Sequence, residues 1–425
     1  MLINVMCDLE SLKVSPTARW ARHGTTIAGA ANGEGGSTLD KLNWNFGIYC
    51  DDDDILYIAD AGNNRIVSIA PNSTTVKSVI GGNSQSAMLK LNSPTDVFVT
   101  RTSIYITDSD SYRVQRWSKD LSNVVTIAGI FNEEGDSTSM TTFSIAFHLF
   151  IDNYGNVFVS DYNNNRVMKF PWSSTSGTSG VIVAGTGFKG FNSTQLDSPL
   201  GIFVTDDGML YIADRYNNRI QKWILGQTSG VTVAGTGVAG RRLSQLYDPF
   251  SVLVDLNGCM YITDCGNDRI MRWAPNAVVG ECIVGCSGYS GIDSSQLNRP
   301  SSLAIDSSGS LYINDWMNNR VQKFEIVLET GRLLIDYLSS ISVRCFSGQT
   351  TTSIQSTTSQ TASSTSKFQF LLIVECTGSN IITGTLFSAQ TIIFHQLYLI
   401  RVKVSLDRKE TLQVMMKLKI EFYII

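Results

Sequence analysis

Apolar and polar positions between residues 56 and 324 follow a pattern that recurs at intervals of 48 to 53 residues. In each copy an apolar run ends in Asp, and an Arg follows five residues later. The six copies read LYIADAGNNRI (56–66), IYITDSDSYRV (104–114), VFVSDYNNNRV (157–167), LYIADRYNNRI (210–220), MYITDCGNDRI (260–270) and LYINDWMNNRV (311–321). Self-similarity at a nearly fixed period predicts an array of similar structural units.

Each unit is predicted to be a sheet of four short strands. In the fourth copy these strands are 201–205, 209–214, 219–223 and 231–235, which are rich in β-branched and aromatic residues. Asn and Gly fill the turn after each Asp and tolerate left-handed backbone angles. A single sheet of this kind has two apolar faces, and six sheets arranged radially bury both faces against their neighbours. The sequence therefore predicts an all-β fold, a six-bladed β-propeller.

The order of the strand signatures predicts how the ring closes. The fourth-strand pattern, which ends in Ala-Gly, occurs at 26–29, before the first copy of the repeat, whereas no such pattern follows Phe324. We therefore expect the N-terminal strand to complete the last blade by pairing with the segment near 320–324. This pairing removes an exposed sheet edge.

The repeat resembles the NHL repeat family of β-propellers over residues 23–327. The shared features are the YIAD-x-x-NNRI core, the AG-x-G strand end, the P-x-G-I entry at 199–202 and an aromatic residue after the core, which is Trp117, Phe170, Trp223, Trp273 or Phe324. The first two units depart from the pattern. Asn45 replaces Pro and Ile69 replaces the aromatic residue in the first, and Asp-Ser-Tyr at 110–112 replaces the Asn pair in the second.

The resemblance implies several functions, which the residues alone do not separate. Propellers of this kind act as scaffolds for protein or peptide partners, and we expect that function here. One alternative is a metal-dependent lyase or hydrolase at the central channel. Another is an RNA-binding propeller, and a third is an adaptor related to ubiquitin ligases but lacking their RING finger.

Composition and charge narrow these choices. The 43% hydrophobic content excludes a fully disordered chain. Net charge is −8 over residues 1–330 and +4 over 331–425, which argues against a nucleic-acid partner for the propeller, although Arg215, Arg241 and Arg242 offer a local basic patch. No apolar run reaches the ~18–20 residues of a membrane-spanning helix, and the chain start lacks the pattern of a signal peptide. Sequons at Asn72 and Asn192 favour an extracellular setting, whereas the missing signal-peptide pattern argues against it, so localisation stays open. The sequence does not indicate the oligomeric state.

The repeated Asp and Arg face each other across a predicted hairpin. Six equivalent copies argue against one active site and favour structural ion pairs with hydrogen bonds to the turn. The pairs are Asp60/Arg65, Asp108/Arg113, Asp161/Arg166, Asp214/Arg219, Asp264/Arg269 and Asp315/Arg320.

Catalytic, metal and cofactor motifs are weak in this sequence. The three His residues have no paired ligand spacing, so we expect no metal site. Two glycine fingerprints, at 185–190 and 235–240, lack the helix that phosphate binding needs, so we expect no nucleotide cofactor. We assign no catalytic residue. We hypothesise a disulfide between Cys265 and Cys286, with two free buried thiols as the alternative.

The turns between second and third strands emerge on one face of the ring, and the positions after each Asp vary from blade to blade. Aromatic residues and Arg are typical of interaction hot spots. The predicted binding residues are Tyr112, Tyr162, Arg215, Tyr216 and Trp316. The alternative is that these side chains cap the rims of neighbouring blades.

The sequence divides the chain into four parts. We expect residues 1–22 to form a leader, 23–327 the propeller, 328–366 a linker and 367–425 a tail, for which three alternatives stay open: a small β-rich module, a fragment of one, or a gene-model artefact. The linker prediction rests on 347–366, where 14 of 20 residues are Ser or Thr.

Overall fold

A computed structural model of the protein describes residues 14–15, 17–73, 75–82 and 90–327, together with the backbone of four strands between 350 and 424. The chain divides into two compact units, and the propeller unit ends at Val327. Among the described residues the helical elements are five single 3-10 turns. None of them is long and apolar enough to cross a membrane.

The propeller has six blades, each an antiparallel sheet of four strands. β1 (Arg19–Trp20) and β2 (Thr25–Gly29) precede blade 1, which contains β3 (Asn45–Cys50), β4 (Leu56–Asp60), β5 (Arg65–Ile69) and β6 (Val76–Gly81). Blade 2 contains β7 (Pro94–Val99), β8 (Ser103–Asp108), β9 (Arg113–Ser118) and β10 (Val124–Gly129), and blade 3 contains β11 (Ala146–Ile151), β12 (Val157–Asp161), β13 (Arg166–Phe170) and β14 (Val181–Gly185). Blade 4 contains β15 (Pro199–Val204), β16 (Met209–Asp214), β17 (Arg219–Ile224) and β18 (Val231–Ala234), and blade 5 contains β19 (Pro249–Val254), β20 (Met260–Asp264), β21 (Arg269–Trp273) and β22 (Glu281–Val284). Blade 6 contains β23 (Pro300–Ile305), β24 (Leu311–Asp315), β25 (Arg320–Phe324) and β2.

The expected closure is confirmed. β2 pairs antiparallel with β25, with Thr25 opposite Lys323 and Gly29 opposite Arg320. A second, shorter pairing joins β1 to β26 (Ile326–Val327). The two ends of the propeller are thus held together by backbone hydrogen bonds, and blade 6 is built from both of them.

Residues 14–15 and 17–21, part of the leader that the sequence assigns to 1–22, pack against blades 5 and 6. Val14, Ala18 and Trp20 are buried in one hydrophobic cluster with residues of those blades. Trp20 Nε1 donates to the Gly309 carbonyl at 2.9 Å, and an Arg272 guanidinium nitrogen donates to the Ala18 carbonyl at 2.9 Å. The ring closure therefore includes an apolar strap as well as a completed sheet.

Each repeated Asp is the centre of a buried hydrogen-bond network, which explains the recurring residues around it. In blade 3, Asp161 accepts the backbone N–H of Ser144 at 3.0 Å, the side-chain amide of Asn164 at 2.9 Å and Arg166 Nε at 2.9 Å. Arg166 also donates to the Ser137 carbonyl at 2.9 Å. One carboxylate thus ties the turn, the following strand and the preceding loop together.

All six Asp–Arg pairs form, with Nε–Oδ2 distances between 2.7 and 2.9 Å. Every one of these carboxylates is completely buried, and burial raises its pKa. The Arg and a backbone N–H oppose that effect in all six blades, together with an Asn side chain in five of them and Ser111 in blade 2. Six near-equivalent networks of this kind favour a structural role over a single active site.

In five of the six blades, the residue directly before the network Arg joins its blade to the next. It has left-handed backbone angles, and in blade 3 the Asn165 side chain accepts the backbone N–H of Ser198 at 2.9 Å. Asn64, Asn218, Asp268 and Asn319 do the same toward Ser93, Asp248, Arg299 and Trp44. In blade 2, Tyr112 takes this place with φ +55°.

The hypothesised disulfide is wrong in its pairing. Cys286 bonds Cys282, with 5.8 Å between the Cα atoms, whereas Cys265 is a free buried cysteine. The reason is the direction of the Cys265 side chain, which packs with Leu200 and Phe250 at the propeller axis. Cys282 and Cys286 lie on β22 and just beyond it, so they clip the outer strand of blade 5.

The second unit contains a four-stranded antiparallel sheet. Its strands are β27 (Thr350–Ser359), β28 (Lys367–Thr377), β29 (Tyr398–Arg408) and β30 (Gln413–Ile424), in the order β27-β28-β30-β29. β27 falls inside the Ser/Thr-rich stretch that the sequence predicts to be a linker. Thr is β-branched and fits a strand, so this composition is compatible with pairing to β28.

We predict that Arg166→Met lowers the free energy of unfolding by about 3–5 kcal/mol, because it leaves the buried Asp161 carboxylate without its ionic partner. Urea denaturation of the full chain measures this. The matched control is Arg101→Met, since Arg101 pairs with Asp52 at 3.4 Å on the surface and both side chains are largely exposed. We expect the control to change stability by less than about 0.5 kcal/mol, and equal losses in the two variants would contradict a structural role for the buried pairs.

Candidate binding site at the turn face

The antiparallel connections place two sets of segments at the same end of the propeller. One set is the turns between second and third strands, and the other is the loops that lead from each fourth strand to the first strand of the next blade. We call this end the turn face. Its described loops are 30–44, 82 with 90–93, 130–145, 186–198, 235–248 and 285–299.

Four aromatic rings close the central channel at the turn face. Phe46, Phe147 and Phe250 follow the first residue of the first strand in blades 1, 3 and 5, and Trp316 follows the Asp of blade 6. Ring centroids are 5.5 Å apart for Phe46–Phe147 and 6.1 Å for Phe147–Phe250, and the circuit continues through Phe250–Trp316 at 5.7 Å and Trp316–Phe46 at 5.0 Å. We call these four residues the aromatic plug.

Arg215 lies against the aromatic plug and two tyrosines. Its Cζ is 4.8 Å from the ring centroid of Phe250, 4.7 Å from that of Tyr216 and 5.8 Å from that of Tyr162. A guanidinium nitrogen also donates to the Tyr162 hydroxyl at 2.9 Å. Stacking of a guanidinium on several rings is favourable and holds its planar donors in a fixed direction.

Asp248 bridges two arginines beside the aromatic plug. Its carboxylate accepts hydrogen bonds from Arg215 Nε and from Arg299 Nη2, and the Arg299 guanidinium lies 5.7 Å from the Trp316 ring centroid. Asp248 and Arg299 both immediately precede a first strand and have φ near +53°, a conformation that costs non-glycine residues energy. The scaffold imposes this backbone, because each N–H is bound by the preceding blade.

Four of the five predicted binding residues come together here. Tyr162, Arg215 and Trp316 are half-buried around the aromatic plug, and Tyr216 is 50% exposed at its edge. The Tyr162 and Tyr216 hydroxyls are 3.4 Å apart. Tyr112 instead occupies the inter-blade position of blade 2, and among the described residues it has no ring contact with the other four.

Sequence reasoning missed the floor of the site. The position after the first residue of each first strand varies among Phe46, Thr95, Phe147, Leu200, Phe250 and Ser301, and the position before that strand supplies Asp248 and Arg299. Both positions vary from blade to blade, as the turn positions do, and this variability is a signal in the sequence that could have identified them. Cys265 also lies beneath the site, and burial raises the pKa of its thiol, which keeps it protonated.

Below the aromatic plug, the next position of each first strand forms a ring around the axis. Its members are Gly47, Asp96, His148, Gly201, Ser251 and Ser302. Three of them accept a backbone N–H from the following blade: Asp96 from Leu149 at 3.0 Å, His148 Nδ1 from Ile202 at 3.4 Å and Ser302 from Ile48 at 3.3 Å. The side chains of Asp96, His148 and Ser302 are therefore engaged in hydrogen bonds between blades.

Asp96 and His148 are the titratable pair of this ring, with Oδ2 and Nδ1 3.3 Å apart. Burial raises the pKa of Asp96 to about 8 and lowers the pKa of His148 to about 4. Both groups are therefore uncharged near pH 7. His148 Nδ1 accepts the Ile202 N–H, which places the imidazole proton on Nε2.

The pair supplies one carboxyl and one imidazole, and metal sites in proteins use three or four such ligands. Among the residues that the structure describes, no three His, Cys, Asp or Glu side chains are grouped to hold a metal ion. The glycine loops at 185–190 and 235–240 run from an outer strand directly into the next blade. Their geometry has no helix start of the kind that binds pyrophosphate.

Comparison with known protein families supports the repeat architecture. The NHL repeat family model matches residues 196–223 and 297–324, which are the cores of blades 4 and 6. The chain is therefore a six-bladed β-propeller in which two blades match the NHL repeat model. No curated protein matches it.

Solved structures share the fold at low sequence identity. A structural-genomics protein of unknown function from Bacteroides thetaiotaomicron is 16% identical with a TM-score of 0.57, covering 73% of this chain and 77% of that one. An auxiliary nutrient binding protein from Bacteroides ovatus is 14% identical with a TM-score of 0.54 and the same coverage. Virginiamycin B lyase from Staphylococcus aureus is 12% identical with a TM-score of 0.47, covering 73% of this chain and all of that one. The likeness to the two Bacteroides proteins concerns the fold alone.

We predict that stability falls by about 2 kcal/mol between pH 6.5 and pH 8 because of Asp96. The folded state keeps this carboxyl protonated up to pH about 8, whereas the unfolded chain ionises it near pH 4, so the folded state binds one more proton in between. His148 acts oppositely between pH 4 and 6.5, since there the unfolded chain binds the extra proton. Above pH 6.5 the Asp96 effect is therefore no longer offset by His148.

Urea titrations of the wild type and of Asp96→Asn measure this at pH 6.5 and 8. The variant should lose the decline, because an amide does not ionise. Asp53→Asn, at an exposed carboxylate, is the control and should keep the wild-type decline. An unchanged decline in Asp96→Asn would show that this carboxyl is ionised in the folded protein.

Proposed function

We propose that the protein is a non-enzymatic scaffold that binds a protein or peptide partner at the turn face. The observation that carries this proposal is the aromatic plug with Arg215 stacked on it. It forms a shallow, aromatic and partly exposed floor at the centre of a rigid ring. Aromatic and Arg side chains of this kind dominate the energy of protein interfaces.

The site uses positions that the blade scaffold leaves free to vary. The six Asp–Arg networks and the inter-blade Asn contacts are complete without Tyr162, Arg215, Tyr216 or Trp316. These side chains differ between blades that are otherwise alike, so the site has no six-fold equivalent. An asymmetric aromatic surface on a symmetric frame supports recognition of one partner in one orientation.

The aromatic plug also argues against the alternative function, a lyase or hydrolase reaction in the central channel reached from the turn face. A substrate approaching the axis from the turn face meets four packed rings before it reaches Asp96 and His148. Those two groups are already bound to backbone N–H groups of the next blade. The packed rings and the engaged Asp96 and His148 therefore fit a docking surface better than a catalytic channel.

The test is affinity capture with the full chain followed by mass spectrometry, comparing the wild type with Tyr216→Ala and Trp316→Ala. We expect both variants to lose the same set of captured proteins at least about tenfold, the loss typical of a hot-spot side chain. Because Tyr216 is half exposed and not part of the aromatic plug, Tyr216→Ala leaves the plug intact. It therefore tests the proposal even if Trp316→Ala unfolds blade 6.

Tyr154→Ala and Trp172→Ala are matched controls, because both aromatic residues are exposed in loops of blade 3 at the opposite end of the propeller. They should retain the captured set. Loss of the set in the controls but not in the Tyr216 variant would place the binding surface elsewhere.

A further inference from the structure

We infer that the turn face recognises an acidic segment of a partner protein, and that a carboxylate of that segment binds at Arg299 and Arg215 beside the aromatic plug. This inference rests on the proposed function and specifies the chemistry of its partner. It follows from the arrangement of the two arginines and from the distribution of charge around them.

Two guanidinium groups share one carboxylate in this site. Asp248 is nearly buried and accepts from both Arg215 and Arg299, whereas 31% of the Arg299 side chain remains exposed. The cluster therefore carries one positive charge in excess, held in place by the rings of Phe250 and Trp316. A partly desolvated guanidinium with a fixed fork of donors matches the two oxygens of a carboxylate.

Charge is divided across the turn face. The half formed by the loops 186–198, 235–248 and 285–299 and the turns of blades 4 to 6 has five basic and four acidic residues. The loop 130–145 and the turn 109–112 have four acidic residues and no basic one. Because residues 1–330 carry a net charge of −8, the basic half is a local exception that attracts a carboxylate.

Exposed apolar side chains lie in the loops of the same half of the turn face. Phe188, Val238 and Tyr289 lie in equivalent loops, and each backbone N–H is held by a Thr or Ser hydroxyl two residues earlier at 3.3 to 3.4 Å. They are 64 to 74% exposed. Lys189, next to Phe188, lies 5.7 Å from the Tyr216 ring centroid and so connects this loop to the site. A segment that combines acidic and apolar residues is complementary to both features.

The charge pattern separates this occupant from two others. The chain's own residues 331–425 carry a net charge of +4, so they do not supply an acidic segment of matching charge. A nucleic acid presents phosphates along its whole length and needs a continuous basic track. Here the arginines are partly paired with carboxylates and the adjacent half of the face is acidic, so a single carboxylate is the better fit.

The test selects a random 12-residue phage-displayed peptide library against the full chain, its Arg299→Gln variant and its Arg101→Gln variant. Arg299→Gln removes the excess charge and leaves Asp248 paired with Arg215. Arg101→Gln removes the same charge from an exposed pair at the opposite end. We expect peptides rich in Asp or Glu next to aromatic or aliphatic residues from the wild type and from Arg101→Gln, and no acidic enrichment from Arg299→Gln.

The enriched peptides are then synthesised with Glu and Asp or with Gln and Asn, and their affinity is measured by fluorescence anisotropy. We expect the amide versions, and the acidic versions on Arg299→Gln, to bind about tenfold to a hundredfold more weakly. Asp248→Asn should tighten the acidic peptides severalfold, because it releases both arginines. A labelled single-stranded RNA 12-mer is included, and we expect no binding that depends on Arg299.

The outcomes separate the two proposals. Peptides that need Tyr216 and Trp316 but show no acidic preference would overturn this inference and leave the proposed function standing. Binding of the RNA 12-mer that is lost in Arg299→Gln would overturn it in favour of a polyanion. Failure to enrich any peptide that depends on Tyr216 or Trp316 would count against both.

Discussion

Each blade is organised around one carboxylate that has been removed from water. Burial disfavours its charge, so the carboxylate persists only because an Arg and a loop N–H bind it, together with an Asn side chain in five of the six blades. In blade 3 those donors are Arg166, Asn164 and Ser144. Because they come from the next strand, the turn and the preceding loop, satisfying a single group fixes the backbone of the whole turn face. Six repetitions of that constraint make the ring rigid.

This constraint also decides which residues are free to acquire a function. The network uses the Asp, the first Asn and the Arg, and the second Asn binds the next blade. The residue directly after the Asp has no part in it, so it is Cys265 in one blade and Arg215 in another. A rigid backbone holds those variable side chains at fixed distances, which is the condition for a preorganised binding site.

The propeller axis brings together chemistry that lies far apart along the chain. Phe46 and Trp316 are separated by 270 positions in sequence and their ring centroids by 5.0 Å. Beneath them, Asp96 and His148 are drawn into inter-blade hydrogen bonds and lose their charge. Polar groups at the axis therefore stabilise the ring, while the aromatic and cationic groups above them face outward to a partner.

The sequence by itself determined the blade count, the four-stranded units, the closing strand and which Asp and Arg residues pair. All of these depend on contacts within one repeat or between its neighbours, and such contacts recur with the period of the sequence. Only the tertiary structure decided that Phe46, Phe147, Phe250 and Trp316 form a plug, that Asp248 joins two arginines, that Tyr112 lies outside the site and that Cys286 bonds Cys282. Those contacts depend on where side chains from different blades converge and on the direction each one takes, and a periodic pattern carries no information about either.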